Sequence, residues 1–389
     1  MPRMIRSALA LALAALGGCN CTEAPHDAGP LLAGAPAEEV RVGVVLPLTG
    51  KYQQFGEETR EGIEIAFADR RAPRVVLDVR DDASDEPRAA QVAVELLDGP
   101  VIALLGELDS GLSLRVAEVA QRAHVPVLSP TASSAAVVEV GPHCFRMNYG
   151  IADEARALAR FAREVEHIER VGVLTDRTDT LYAAPIADLF ARELTRAGGV
   201  VPVRSTYAQD QTDFSAELAE LAAADLQAIY LPADFDEILP IARAMRDAGM
   251  QQQLLGSEAW HGRELRSADA RALLEGSVLP SPYHVGSATP QAMAFRGAFV
   301  RRYGRDPTSY AALGYDAAQV LAQAIERAAP RRAEAPSEVR ARVRDELART
   351  SFTGATGTLR FDASRQPVRS VLIVRVTTDG LVVAGQHDP

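Results

Sequence analysis

The chain has 389 residues, 47% hydrophobic and 24% charged, a balance that excludes wholesale disorder and leaves room for roughly two domains. Its 41 basic and 52 acidic side chains give a net charge of −11. Such an acidic surface repels phosphate backbones and argues against a nucleic-acid binder. Lys51 is the only lysine. The arginine excess fits a genome composition bias, and it leaves Lys51 as the sole candidate for lysine-dependent covalent chemistry.

The N-terminus reads as an address. Arg3 and Arg6 precede an apolar run from Ala8 to Leu16, too short to span a bilayer but right for a signal-peptide core. Leu16-Gly17-Gly18-Cys19 follows and resembles the lipobox of bacterial lipoproteins. By that resemblance residues 1–18 are removed and Cys19 is lipidated, with ordinary secretory cleavage near Gly17 as the alternative. Acyl chains contribute about 0.8 kcal/mol per buried CH₂, enough for a stable anchor. Residues 19–39, rich in Ala, Pro and Gly, read as a flexible tether. No later segment is long and apolar enough to span. Without a Cys-x-x-Cys pair, metal and redox motifs are excluded. A buried, inert Cys144 is preferred over a Cys21–Cys144 bridge.

From Val40 the pattern is regular. VRVGVVLPLT is β-branched and apolar, as a buried parallel strand requires. Phe55, Thr59, Ile63, Ala66 and Phe67 recur at helical spacing. Further strands follow at RVVLDVRDD, VIALLGELDS, VPVLSPTAS and HCFRMNYG, with helical stretches between the first of them. This alternation predicts right-handed crossovers and a parallel sheet covered on both faces. The rhythm restarts after residue 150, with strands at RVGVLTD, VVPVRSTYA, LQAIYLPAD, QQLLGSEA and SVLPSPYH. Three helical stretches then run without strands, and TGTLRFDASRQPVRSVLIVRVTTDGLVV predicts an antiparallel meander. The fold class is α/β: two doubly wound lobes, with the chain returning to the first lobe and crossing back to the second.

Open parallel sheets place ligands where strand ends feed helix N-termini. Gly106-Glu107-Leu108-Asp109-Ser110-Gly111 and Ser129-Pro130-Thr131-Ala132-Ser133-Ser134 offer hydroxyls and backbone N–H groups at such places. Together they predict an anion clamp fit for a carboxylate, with helix N-caps as the plainer reading. In the second unit, Glu258 would meet an ammonium, Trp260 would wall an apolar group, and Tyr182 would line the cleft. Solvated loop charge and core packing are the plainer readings of Glu258 and Trp260. Enzyme signatures are missing: there is no Gly-x-Ser-x-Gly, no His-Glu-x-x-His and no phosphate loop, because Tyr52 follows Lys51 where Ser or Thr is needed. The seven histidines lack ligand spacing, so neither a metal nor a cofactor is expected.

The ordered set VGVVLPLTGKYQQFGEETREGIEIAF, RDDASDEPRAA, IALLGELDSG, VPVLSPTAS, TDFSAELAEL, LLGSEAW, YAALGYDAAQVLAQAIERA and TGATGTLRFDASRQPV resembles periplasmic binding proteins of the leucine/isoleucine/valine-binding type. The likeness covers about residues 40–380. It implies the type I fold, two hinged lobes joined by three crossovers, with the first lobe at 40–149 and 286–352 and the second at 150–285 and 353–389. It also implies a monomer that captures a small amino acid or similar zwitterion and docks on an ABC permease. By position the resemblance gives Ser110 the ligand carboxylate, places Thr131 and Ser133 in the second ligand loop, makes Tyr182 a cleft aromatic, gives Glu258 the α-ammonium, and sets Phe55 at the mouth. Departures from the family pattern are Ala183 for a glycine, Asp234-Phe235 for a small-then-aromatic pair, Ile151 or Asp153 for a displaced polar residue, and the lack of a family cysteine pair. Rival readings are a lipoprotein regulator that touches a membrane partner, such as a peptidoglycan-synthase activator, and a ligand sensor. The implied location is the cell envelope, and Asn20 after the lipidated cysteine favours an outer layer.

Overall fold

A computed structural model describes residues 35–68 and 73–389. The segment read as a signal peptide, most of the expected tether, Cys19, Asn20 and Cys21 lie outside the described residues. Five strands form the first sheet: β1 (Glu39–Leu46), β2 (Arg74–Asp81), β3 (Val101–Gly106), β4 (Val127–Ser129) and β5 (Cys144–Arg146). All pair in parallel, in the order β2-β1-β3-β4-β5. Parallel neighbours need crossovers, supplied by α1 (Gln53–Ala68), α2 (Glu86–Leu97), α3 (Ser110–Arg122) and the short α4 (Ala136–Glu139). Because helices cover both faces, β1 and β3 are buried almost throughout, which explains their unbroken apolar runs.

The second lobe follows α5 (Ile151–Glu164). It contains β6 (Val171–Asp176), α6 (Ala183–Arg196), β7 (Arg204–Tyr207), α7 (Ser215–Ala222), β8 (Ala228–Tyr230), α8 (Ile238–Asp247), β9 (Gln253–Leu255), α9 (Ala268–Leu273) and β10 (Val278–Ser281). Then come α10 (Pro290–Tyr303), α11 (Ser309–Ala328) and α12 (Pro336–Ala348). As expected for helices without strands, α11 and α12 cover an existing sheet: Val320, Leu321 and Ile325 of α11 and Val339 and Val343 of α12 pack with Val42, Val44 and Leu105 of the first sheet, while Phe295 and Phe299 of α10 pack against Ala311 and Ala312 of α11.

The meander divides in two. β11 (Ser351–Gly354), β12 (Gly357–Phe361) and β13 (Pro367–Val368) form a small antiparallel sheet of their own. Phe352, Leu359 and Phe361 pack into the first lobe's core. A division at residue 352 would assign Leu359 and Phe361 to the second lobe, so that boundary is corrected: apolar packing carries the first lobe on through β13. β14 (Val371–Thr377) and β15 (Gly380–His387) then complete the second sheet, in the order β15-β14-β10-β9-β8-β6-β7. Its β10–β14 and β14–β15 pairs are antiparallel.

Three crossovers thus join the lobes, after β5, after β10 and between β13 and β14. Arg369 ties all three. It is 4% exposed, and its guanidinium donates to the carbonyls of Met147 (3.1 Å), Pro282 (3.4 Å) and Thr356 (2.7 Å). Buried Asp316 supplies the nearest compensating charge. No described helix is long and apolar enough to cross a membrane.

Candidate functional site between the lobes

The cleft is built from strand ends of both sheets. Residues after β3 and β4 of the first lobe meet residues after β6, β8 and β9 of the second. They enclose a cavity of about 700 Å³, mouth included, lined by Phe55, Ser110, Thr131, Ser133, Tyr182 and Glu258 among others. Six of the seven residues singled out from sequence therefore share one cavity. Trp260 does not join them. It is 0% exposed, donates Nε1–H to the Leu231 carbonyl at 3.0 Å, and packs with Leu254 and Leu279 in the second lobe's core. The expectation that Trp260 walls a ligand is corrected: a large ring with a satisfied N–H is most stable in the core, and Gly256, whose added Cβ would lie 2.5 Å from the indole, makes room for it.

On the first-lobe wall, Ser110 Oγ accepts from Ser134 N at 3.3 Å, which leaves its own O–H free to donate. Thr131 Oγ donates to the Leu108 carbonyl at 2.7 Å and so fixes the two loops against each other. The backbone part of the expected anion clamp is modified at α3. Asp109 caps that helix, its Oδ1 accepting from Gly111 N (2.7 Å) and Leu112 N (3.1 Å). Asp179 does the same at α6, accepting from Leu181, Tyr182 and Ala183 N–H. The protein's own aspartates therefore occupy the positive helix ends.

On the second-lobe wall, Glu258 is 6% exposed. Its Oε2 accepts from Asn148 Nδ2 at 2.8 Å, and Asn148 also donates to the Thr131 carbonyl at 3.1 Å. Asn148 sits in the first crossover, so one amide touches both walls. Glu154, in the first turn of α5, accepts from Glu258 N at 2.7 Å and from the Tyr182 hydroxyl at 3.1 Å. Burial pushes the Glu258 carboxyl up to about 7. Burial, and then the charge of Glu258, push Glu154 up to about 8. Both carboxyls accept hydrogen bonds from neutral donors, and of the two only Glu258 lines the cavity.

The lobes also meet at the mouth. Lys51 Nζ lies 2.7 Å from Asp234 Oδ2, and the Tyr52 hydroxyl donates to the same oxygen at 3.3 Å. Phe55 packs edge-on against Phe235 (centroids 4.8 Å apart) and stacks on Tyr310 (4.4 Å). Buried Glu58 of α1 pairs with Arg266 at 2.6 Å. These contacts join the two lobes at the mouth. Lys51 serves here as a charge partner, a role quite unlike covalent chemistry.

Sequence reasoning missed Asn148, Glu154, Asp109, Asp179 and Tyr310 as site residues. Asp109 was legible as an N-cap signal before a helix. Glu154 had no local signal, because its role depends on a residue 104 positions away. Cys144 is buried, its thiol donating to the Ala117 carbonyl. No described cluster of His, Cys, Asp and Glu has metal-binding geometry.

Residues 39–381 match the family model described as "Periplasmic binding protein". The chain belongs to the periplasmic binding protein family. It is 25% identical to Leu/Ile/Val-binding protein homolog 3 of Brucella melitensis over 60% of this chain, a match spanning 64% of that protein's length. Leu/Ile/Val-binding protein homolog 2 of Brucella abortus is 24% identical, covering 88% of this chain and 91% of the relative. Among solved structures, the leucine binding protein LivK from Thermotoga maritima superposes with a TM-score of 0.81 and 28% identity, over 90% of this chain and 99% of that one. The family consists of extracytoplasmic solute-binding proteins, and this periplasmic binding protein has its two-lobed type I fold.

Proposed function

We propose that this periplasmic binding protein captures a small amino acid or similar zwitterion between its lobes and presents it to an ABC-type importer, held to the envelope by lipid at Cys19. One juxtaposition carries the reading. Ser110, Thr131 and Ser133 line the cavity from one lobe while Glu258 lines it from the other. The free Ser110 O–H suits a carboxylate. Glu258, raised to about 7 by burial, suits an ammonium, which would draw its proton off and leave an ion pair. Likeness to Leu/Ile/Val-binding and leucine binding proteins supports an amino-acid ligand. The chain lacks the Gly-x-Ser-x-Gly, His-Glu-x-x-His and phosphate-loop signatures, and its family consists of solute-binding proteins.

Isothermal titration of the purified chain against the protein amino acids tests the ligand. Binding of at least one at micromolar strength is expected, and silence across all of them removes the amino-acid reading. Capture of a cell-wall synthase instead of a permease would favour the regulator reading. Replacing Cys19 with serine should release the protein from membranes, and unchanged membrane retention would remove the lipid anchor.

A further inference from the structure

The cleft opens into an outer chamber of about 820 Å³ that shares Tyr52, Asp109, Ser110, Asp179, Tyr182 and Asp234 with it. Thr131, Ser133 and Glu258 line only the inner part. A zwitterion whose α-groups meet Ser110 and Glu258 therefore directs its side chain toward the chamber. Resting on the reading of the cleft as an amino-acid site, we propose that the ligand is an amino acid with a positively charged side chain, whose cation sits among Asp109, Asp179 and Asp234.

The charge balance in the shared region supports this. Three carboxylates face one ammonium, that of Lys51, which is already divided between Asp234 at 2.7 Å and Asp236 at 3.8 Å. Asp109 and Asp179 are held by backbone N–H groups, dipoles that stabilise a negative charge without cancelling it. Those bonds also occupy amides that an anionic side chain would need. Burial, and then the charges of Asp179 and Asp234, lift the Asp109 carboxyl to about 6. The acids repel one another, and a cation between them relieves that repulsion.

The rest of the wall agrees. In the inner cavity Glu258 is more than nine-tenths buried and accepts from the neutral amide of Asn148, which leaves it to the ligand's α-ammonium. Tyr52, Phe55, Tyr182 and Tyr310 line the same space, and aromatic faces attract cations. A neutral aliphatic side chain would strip water from these carboxylates and return nothing. The departure of Asp234-Phe235 from the family's small-then-aromatic pair thus becomes a specificity device.

The test is titration of the full folded chain with L-arginine, L-lysine, L-leucine and L-citrulline, the last matching arginine in length without its charge. Arginine or lysine should bind at least about tenfold more tightly than both neutral ligands, a difference of about 1.4 kcal/mol. Leucine or citrulline binding as tightly as the basic pair overturns the inference and leaves the amino-acid reading standing. Silence toward all four overturns the inference, and the full amino-acid titration above then decides the broader reading. Asp109→Asn keeps a capping side chain, and Asp234→Asn removes the second charge. Each should cut arginine or lysine affinity about tenfold more than it cuts citrulline affinity. A basic preference unchanged in both folded variants overturns the placement of the cation.

Discussion

Asn148 Nδ2 donates to Glu258 Oε2 at 2.8 Å and to the Thr131 carbonyl at 3.1 Å, so one crossover amide spans the two walls of the cleft. Glu258 faces the serine and threonine loop across the cavity, and Asn148 sets its angle. The bond supports the carboxylate without neutralising it.

Glu258→Ala leaves a buried ammonium unpaired in the complex. Breaking such a pair costs ~3–5 kcal/mol. Ligand affinity should fall a hundredfold or more, with a smaller loss for Asn148→Ala, where the carboxylate survives. Titration calorimetry on both variants checks the order, and near-unchanged affinity in Glu258→Ala discards its role.

Glu154 gives a pH dependence with a definite sign. Its folded-state pKa of about 8 lies above the ordinary carboxyl value. The folded state therefore binds the proton more tightly than the unfolded one, and stability contributed by this group is lost as pH rises between the two values. The unliganded protein should melt lower near pH 8 than near pH 5.5, and Glu154→Gln should shrink that difference by about 2 °C or more. An unaltered slope in calorimetric melts would show that another group sets it.

Arg369 holds three carbonyls from three segments. Arg369→Met strands those acceptors and the compensating charge of Asp316, and should lower unfolding stability by about 3 kcal/mol. Arg369→Lys keeps the charge but lacks the planar fork, so it should recover only part of the loss. Urea denaturation of the pair tests this, and full recovery by lysine would assign the effect to charge alone.

Trp260 is a core residue. Trp260→Phe removes the bond to the Leu231 carbonyl and part of the ring, and should cost about 1–3 kcal/mol of stability. Ligand affinity of the folded variant should stay within about threefold. A large affinity loss without destabilisation would return Trp260 to the cleft wall.

What the sequence determined by itself was the α/β rhythm, the two successive units and the strand-end loops. Each follows from local chemistry: β-branched runs make buried parallel strands, helical spacing makes crossovers, and small polar residues begin helices. Ser110, Thr131, Ser133 and Glu258 were legible because strand ends are where such sheets expose polar groups, Tyr182 because it stands at the start of a helix of the second unit, and Phe55 only through the family resemblance. Tertiary structure alone decided that Trp260 turns inward, that β11–β13 stay with the first lobe, and that Glu154, Asn148 and Glu258 meet. Those outcomes depend on burial and on contacts between residues far apart in the chain, and neither leaves a local trace. The same holds for Asp109, Asp179 and Asp234: they lie in three separate loops, and only the packing of the two lobes gathers their charges around one space.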